Sequence, residues 1–191
     1  VDMIMFPDTT NVLDSPLTAK YDMYPEGGAT IEQIRDSGNS RLTLAIGAWS
    51  SNAAGAALQE KCGVPCIPLK VPIGLKATDD LIMTLKEKFD AVVPDDLTLE
   101  RGQVVDTLID THFHYQGKKV AIYGDPDVVV PLVEFVLTMG MIPKYVITGT
   151  PGKAFEEEVG AMIEAAGIED YLVKAEGDLF DLHQWIKEES V

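Results

Sequence analysis

Apolar positions along this chain fall into short runs separated by stripes of helical period, and the two alternate regularly. Residues 120–123 (VAIY) are a run of β-formers, long enough for a buried strand and too short for a helix. The Asp125-Pro126-Asp127 that follows predicts a helix start. Asp125 serves as N-cap, Pro126 takes the first helical position, where its missing N–H costs nothing, and Asp127 lies in the positive first turn. Residues 128–139 then carry Val129, Leu132, Val133 and Val136 on one stripe, and 144–148 supply the next apolar run. Strand, capped turn, helix and strand make a βαβ unit, whose parallel strands cross over right-handed.

The same alternation runs through the rest of the chain. Residues 1–6 (VDMIMF) read as a buried strand. Residues 7–28 are a long turn-rich segment without periodicity, of the kind that is functional or packs against a partner. Thr30 and Gln33 predict a capping box that opens a short helix stopping at Gly38. Residues 42–47 form a strand, 50–61 an Ala-rich helix, and 66–69 a strand ended by Pro72. Thr78, followed by Asp79 and Asp80, is expected to cap a helix running to Phe89; Pro94 breaks it, and 97–115 make a longer helix. After the central unit come a helix at 151–166, a strand at 171–174 and a last helix at 179–187. Six strands alternating with helices predict an α/β fold with parallel sheets covered on both faces. The break before the long helix divides the chain into two Rossmann-like parallel-sheet units, 1–95 and 96–191. A strand with no lead-in at one end, and a helix with no following strand at the other, are expected of an excerpt from a longer protein.

Composition narrows the partners. The 191 residues carry a net charge of -16, which argues against nucleic acid or an anionic membrane surface, since phosphate contacts need Lys and Arg. No run of roughly 18 apolar residues is present to span a membrane, and no basic segment precedes a cleavage site. A soluble cytoplasmic protein is expected. Cys62 and Cys66 are the only cysteines. Two thiolates cannot complete a tetrahedral zinc or iron–sulfur site, so they read as small buried apolar residues beside a strand, with no disulfide in a reducing compartment.

The helix at 97–115 holds the candidate chemistry. Val104, Val105, Leu108, Ile109 and His112 share one face, and Gln103, Asp106, Asp110 and His114 the opposite one. Asp106 and Asp110 stand at i and i+4, so their carboxylates are neighbours and repel. Such a pair binds a hard divalent cation if a partner supplies further oxygens; otherwise it is a solvated acidic face. His112, in the apolar stripe, reads as a hydrogen-bonded core residue. The GTPGK at 149–153 is too short for a phosphate loop and has Ala154 after its lysine, so it reads as a turn opening a helix. No G-x-G-x-x-G and no nucleophile elbow occur, and His183 has no evident catalytic partner. The chain holds no self-contained catalytic set.

Several stretches, in colinear order over nearly the whole chain, carry a family resemblance. They are MFPDTTNVLDSP (5–16), MYPEGGAT (23–30), GNSRLTLAIG (38–47), PIGLKATDDLIM (72–83), ERGQVVDTLIDTHFHYQGKKVAIYGDPD (100–127) and DLF (178–180). In them the chain resembles the nitrogenase component 1 proteins, and among these the β-type subunit of the molybdenum–iron form. The resemblance implies the middle to C-terminal part of a subunit of three Rossmann-like domains. It implies pairing with an α chain that holds the iron–molybdenum cofactor, and with a second β chain in a heterotetramer. An 8Fe-7S P-cluster at the α–β boundary would relay electrons from an ATP-hydrolysing iron protein for the reduction of dinitrogen to ammonia. The family's P-cluster ligands lie upstream of Val1, and Cys62 and Cys66 do not match them. No catalytic or cofactor-binding residue is therefore expected here, and the chain alone should be inactive. Asp106 and Asp110 do match, in register, the two aspartates of the family's divalent-cation site between β chains, whose other ligands lie upstream or on the second β chain. A related non-catalytic scaffold for cofactor assembly, or the β chain of a vanadium or iron-only nitrogenase, is the alternative reading.

Overall fold

The computed structural model describes residues 3–8, 10, 22–23 and 27–189. Two compact units result, one of residues 1–44 with 54–67, the other of 45–53 with 68–191.

In the first, helix α1 (Ile31–Asp36) opens on the expected capping box. The Thr30 hydroxyl accepts from the Gln33 amide at 3.1 Å, and the Gln33 side-chain oxygen accepts from the Thr30 amide at 2.8 Å. Strand β1 (Thr43–Ile46), helix α2 (Asn52–Cys62) and strand β2 (Cys66–Leu69) follow within a residue or two of their predicted spans. β1 and β2 form a two-stranded sheet. The Thr43 amide donates to the Pro65 carbonyl and the Gly47 amide to the Leu69 carbonyl, so partners advance together and the strands are parallel. The expected first strand is a correction: residues 3–6 are not a strand, and Met3, Met5 and Phe6 are exposed. Apolar β-formers make a strand only where a neighbour takes up their N–H and C=O groups, and none of the described strands pairs there. Most of 7–28, read as a partner-facing segment, lies outside the described residues.

The second unit takes in the C-terminal ends of β1 and β2 and the turn at 47–51, and continues with helix α3 (Gly74–Phe89) and helix α4 (Asp95–Tyr115). Thr78 does not cap α3. Its hydroxyl donates to the Gly74 carbonyl at 2.8 Å, one turn back inside a helix whose N-cap is Ile73, five residues earlier than expected. Nor does Pro94 end α3; Asp90 does so, in the left-handed conformation at φ 53°, and Pro94 is the residue before α4. Strand β3 (Lys119–Tyr123), helix α5 (Pro126–Thr138), strand β4 (Ile142–Ile147), helix α6 (Lys153–Ala165), strand β5 (Leu172–Lys174) and helix α7 (Leu179–Glu189) complete the unit. The strands lie in the order β3-β4-β5, all parallel.

Residues alternate across the sheet, and β4 feeds both layers. Val146 joins Ile122, Val129, Val133, Phe155, Val159 and Ile163 in a core under α5 and α6. Its neighbours Tyr145 and Ile147 face the other way and meet Leu182, Trp185 and Ile186 of α7. The sheet is thus covered on both faces, as its continuous apolar runs require. No helix among the described residues is long and apolar enough to cross a membrane.

Candidate functional site

Helix α4 runs for 21 residues, about 31 Å at 1.5 Å per residue, and buries none of them. Asp95 and Asp96 in its first turn complement the positive end of the helix dipole. Polar contacts attach it. Arg101 grips Asp79 of α3 with two hydrogen bonds, at 2.8 and 2.7 Å, and holds that carboxyl below its usual range. At the other end, the Gly117 amide donates to the Gly140 carbonyl, and the His112 ring lies against Gly140. The predicted apolar stripe does not anchor the helix. Val105, Leu108 and His112 are half-buried, whereas Val104 and Ile109 stand exposed. Hydrophobic period shows that a face wants cover, without showing that this stretch of chain supplies it.

Asp106 and Asp110 are both exposed. They lie on a strip with Leu99, Gln103 and Phe113, at steps of four and three residues, the spacing of a seam that faces one direction. Leu99 is 63% and Phe113 71% exposed, so the two carboxylates are bracketed by uncovered apolar side chains. His114, assigned to the same face, stacks its ring on Phe113 with centroids 3.8 Å apart. Among the described residues no group of three or more His, Cys, Asp or Glu is placed to hold a metal ion. Two carboxylates can offer at most part of the six to eight oxygens that calcium takes. The pair is chemically half of a ligand set. The two free thiols are Cys62, exposed at the end of α2, and half-buried Cys66. Iron–sulfur clusters take more thiolates than these two, so this donor set does not fit one.

Sequence reasoning missed what Asp127 does. It is 7% exposed, and its carboxylate accepts from the amides of Trp49 at 3.0 Å and Ser50 at 2.8 Å. Its own amide donates to Asp125, the expected N-cap, at 3.0 Å. One carboxylate therefore clamps the turn after β1 to the start of α5. Nothing local signals a partner nearly 80 residues away. Beside it, a cavity of about 150 Å³ is lined by Trp49, Asn52, Lys70 and Glu158, among others. That is below the roughly 300–1,000 Å³ of small-molecule sites, and Lys70 is already paired with Glu134 and Glu158.

The sequence profile of the nitrogenase component 1 type oxidoreductases matches residues 7–191. The molybdenum–iron protein β chain of Clostridium pasteurianum is 52% identical over all 191 residues, which span 42% of that protein. That of Methanococcus maripaludis is 35% identical over 196 aligned residues, covering the whole of this chain and 42% of its own length. That of Klebsiella pneumoniae is 33% identical over 162 residues, 85% of this chain and 31% of the other. A solved structure titled "Nitrogenase Cp1 at pH 6.5" superposes with a TM-score of 0.93 at 53% identity, over 98% of this chain and 41% of that one. The chain spans between about three tenths and two fifths of the length of these relatives, and it belongs to the nitrogenase component 1 type oxidoreductases.

Proposed function

We propose that this chain is part of the β subunit of a molybdenum–iron nitrogenase, and that Asp106 and Asp110 supply half of a divalent-cation site completed by a second β subunit. The observation carrying the first reading is 52% identity, without interruption of coverage, to a molybdenum–iron protein β chain. In that assembly the α chain, a second β chain and the iron protein are its partners. The P-cluster and iron–molybdenum cofactor supply the redox chemistry of ATP-dependent dinitrogen reduction, in the cytoplasm. This stretch of chain contributes subunit structure and no catalytic side chain. Residues 1–95 and 96–191 correspond in this reading to two of the subunit's Rossmann-like units.

Support for the cation site comes from the seam on α4. A solvated acidic face needs no apolar flanks, whereas Leu99 and Phe113 stand uncovered on either side of the two carboxylates. A second subunit that covers them can bring oxygen ligands to the same place, and the ion then relieves the repulsion between Asp106 and Asp110. By itself the pair is underliganded, and we expect the chain alone to bind calcium only in the roughly 10⁻⁴–10⁻³ M range of weak sites. Changing both residues to Asn in the intact tetramer should raise its dissociation constant in calcium roughly tenfold or more, the equivalent of about 1.4 kcal/mol. Helical content should not change, because that face buries nothing. Sedimentation velocity across a dilution series reads the constant. A value equal to wild type would reduce the pair to a solvated face.

A further inference from the structure

Among the described residues Lys144 is the one buried lysine, and it lies in β4. It sits at a register shift between β3 and β4: Val120 pairs with Pro143 and Ala121 with Tyr145, which leaves Lys144 out of the ladder. Such a bulge re-aims one side chain. Here it buries the Lys144 side chain to 5% exposure, with its ammonium bonded to Asp170 and 3.1 Å from Glu189, the last described residue of α7. Lys119 of β3 lies 3.8 Å from the same Glu189 carboxylate. Both acids are held below the usual carboxylate range, chiefly by the hydrogen bond from Lys144 and, for Glu189, also by one from the Tyr145 hydroxyl; Lys144 is held above its ordinary value chiefly by the bond to Asp170.

The helix these charges hold has little else. Among its described residues α7 buries only Leu182, against seven buried positions on α5 and four on α6. Trp185 and Ile186 pack half-buried on the sheet, with the Trp185 ring 5.8 Å from that of Tyr145. At its first turn Asp181 meets Lys174 at 3.7 Å, between two half-exposed side chains. His183 faces solvent.

We propose that α7 is a charge-latched strap. Lys144, gripped from one side by Asp170 and from the other by Glu189, fixes the C-terminal turn of α7 to the sheet, and loss of the Glu189 charge lets α7 lift as a unit while α5 and β4 stay closed. When Glu189 no longer serves it, the buried ammonium keeps only the exposed Asp170, and its remaining N–H groups must be met by water. Water reaches Lys144 most readily where α7 covers it, because that face holds the smaller apolar contact. Asp170 at 84% and Glu189 at 42% side-chain exposure also leave the pairs open to screening by salt. The carboxylates' contribution is complete above their ordinary values near pH 4 and is lost as pH falls through their depressed ones; that of Lys144 is complete below its ordinary value and persists until pH rises through its raised one.

Amide exchange of the full-length protein in its assembled complex, followed peptide by peptide, tests the latch. In wild type, 1 M sodium chloride should lower protection of residues 179–189 roughly tenfold relative to 50 mM, with 126–138 unchanged. Glu189→Gln should produce that loss already at 50 mM. Asp181→Asn, at the exposed pair, should change protection less than threefold. Lys144→Met, which removes the charge that both acids hold, should abolish the salt dependence of protection over 179–189. Glu189 is half-exposed, so its variant folds and decides the matter even if Lys144→Met does not. Protection of 179–189 in Glu189→Gln equal to wild type would overturn the proposal. So would equal losses in 126–138, which would mean global opening rather than a strap.

Discussion

Gly177→Ala is expected to destabilise the larger unit by about 3 kcal/mol or more, at the upper end of overpacking effects. The reason is space. A Cβ built on Gly177 would stand 2.0 Å from Cγ2 of Ile147, a residue fully buried in β4. The far side chain cannot yield, because Ile147 is packed between the sheet and Leu182 of α7. Nor can the backbone, since the Gly177 amide donates to the Thr148 carbonyl at 2.9 Å and the Thr148 amide to the Lys174 carbonyl at 3.1 Å, which wraps this loop around the end of β4. The neighbouring position makes a control. Glu176 is held at φ 52°, so Glu176→Gly relieves a left-handed conformation and should be neutral or stabilising. Urea denaturation of both variants reads the contrast. A Gly177→Ala midpoint equal to wild type would mean that the loop can move away from β4, contrary to its two hydrogen bonds.

How much of this was legible in the sequence depends on how far apart the interacting residues lie. Cys66–Leu69 forms the strand its apolar run predicts, and Asp125 caps the helix it was expected to cap, because both signals are local. Thr78 misled for a local reason as well: a threonine followed by two aspartates serves equally as an N-cap or as a helical residue bonding one turn back. The run at 144–148 concealed a charge, since a bulge and acids 26 and 45 positions away are what make Lys144 tolerable in it. Residues 3–6 and the stripe on α4 fail differently. Each is apolar at the right period, yet strand pairing and helix cover are long-range events, and pattern alone does not say what provides them. In the candidate site, the adjacency and exposure of Asp106 and Asp110 follow from their spacing. The uncovered Leu99 and Phe113 beside them required the structure.

Asp127→Ala is expected to cost about 3 kcal/mol and to free the turn at 47–51. The carboxylate is the acceptor for two partly buried amides, those of Trp49 and Ser50, and each donor left without a partner costs roughly 1–3 kcal/mol. The lost negative charge in the first turn of α5 adds a few tenths or more. Asp127→Asn should fall between the two, because one oxygen survives while the new NH₂ faces an amide donor. A second site makes the mechanism separable from general damage. Gly47, at φ 97°, lies so close that a Cβ there would be 2.7 Å from Oδ2 of Asp127. Gly47→Ala therefore strains the same contact, and loss of the carboxylate relieves that part of the clash, while the approach to Ser50 Oγ at 2.8 Å and the positive φ remain. The double variant should be more stable than the sum of the single losses predicts, with a coupling of about 0.5–3 kcal/mol. The Trp49 indole, edge-on to Phe155 with centroids 6.4 Å apart, should shift its fluorescence to the red in Asp127→Ala as the turn opens to water, with Trp185 replaced to isolate the signal. Strict additivity of the two substitutions, with unshifted Trp49 emission, would show that the carboxylate does not hold the turn.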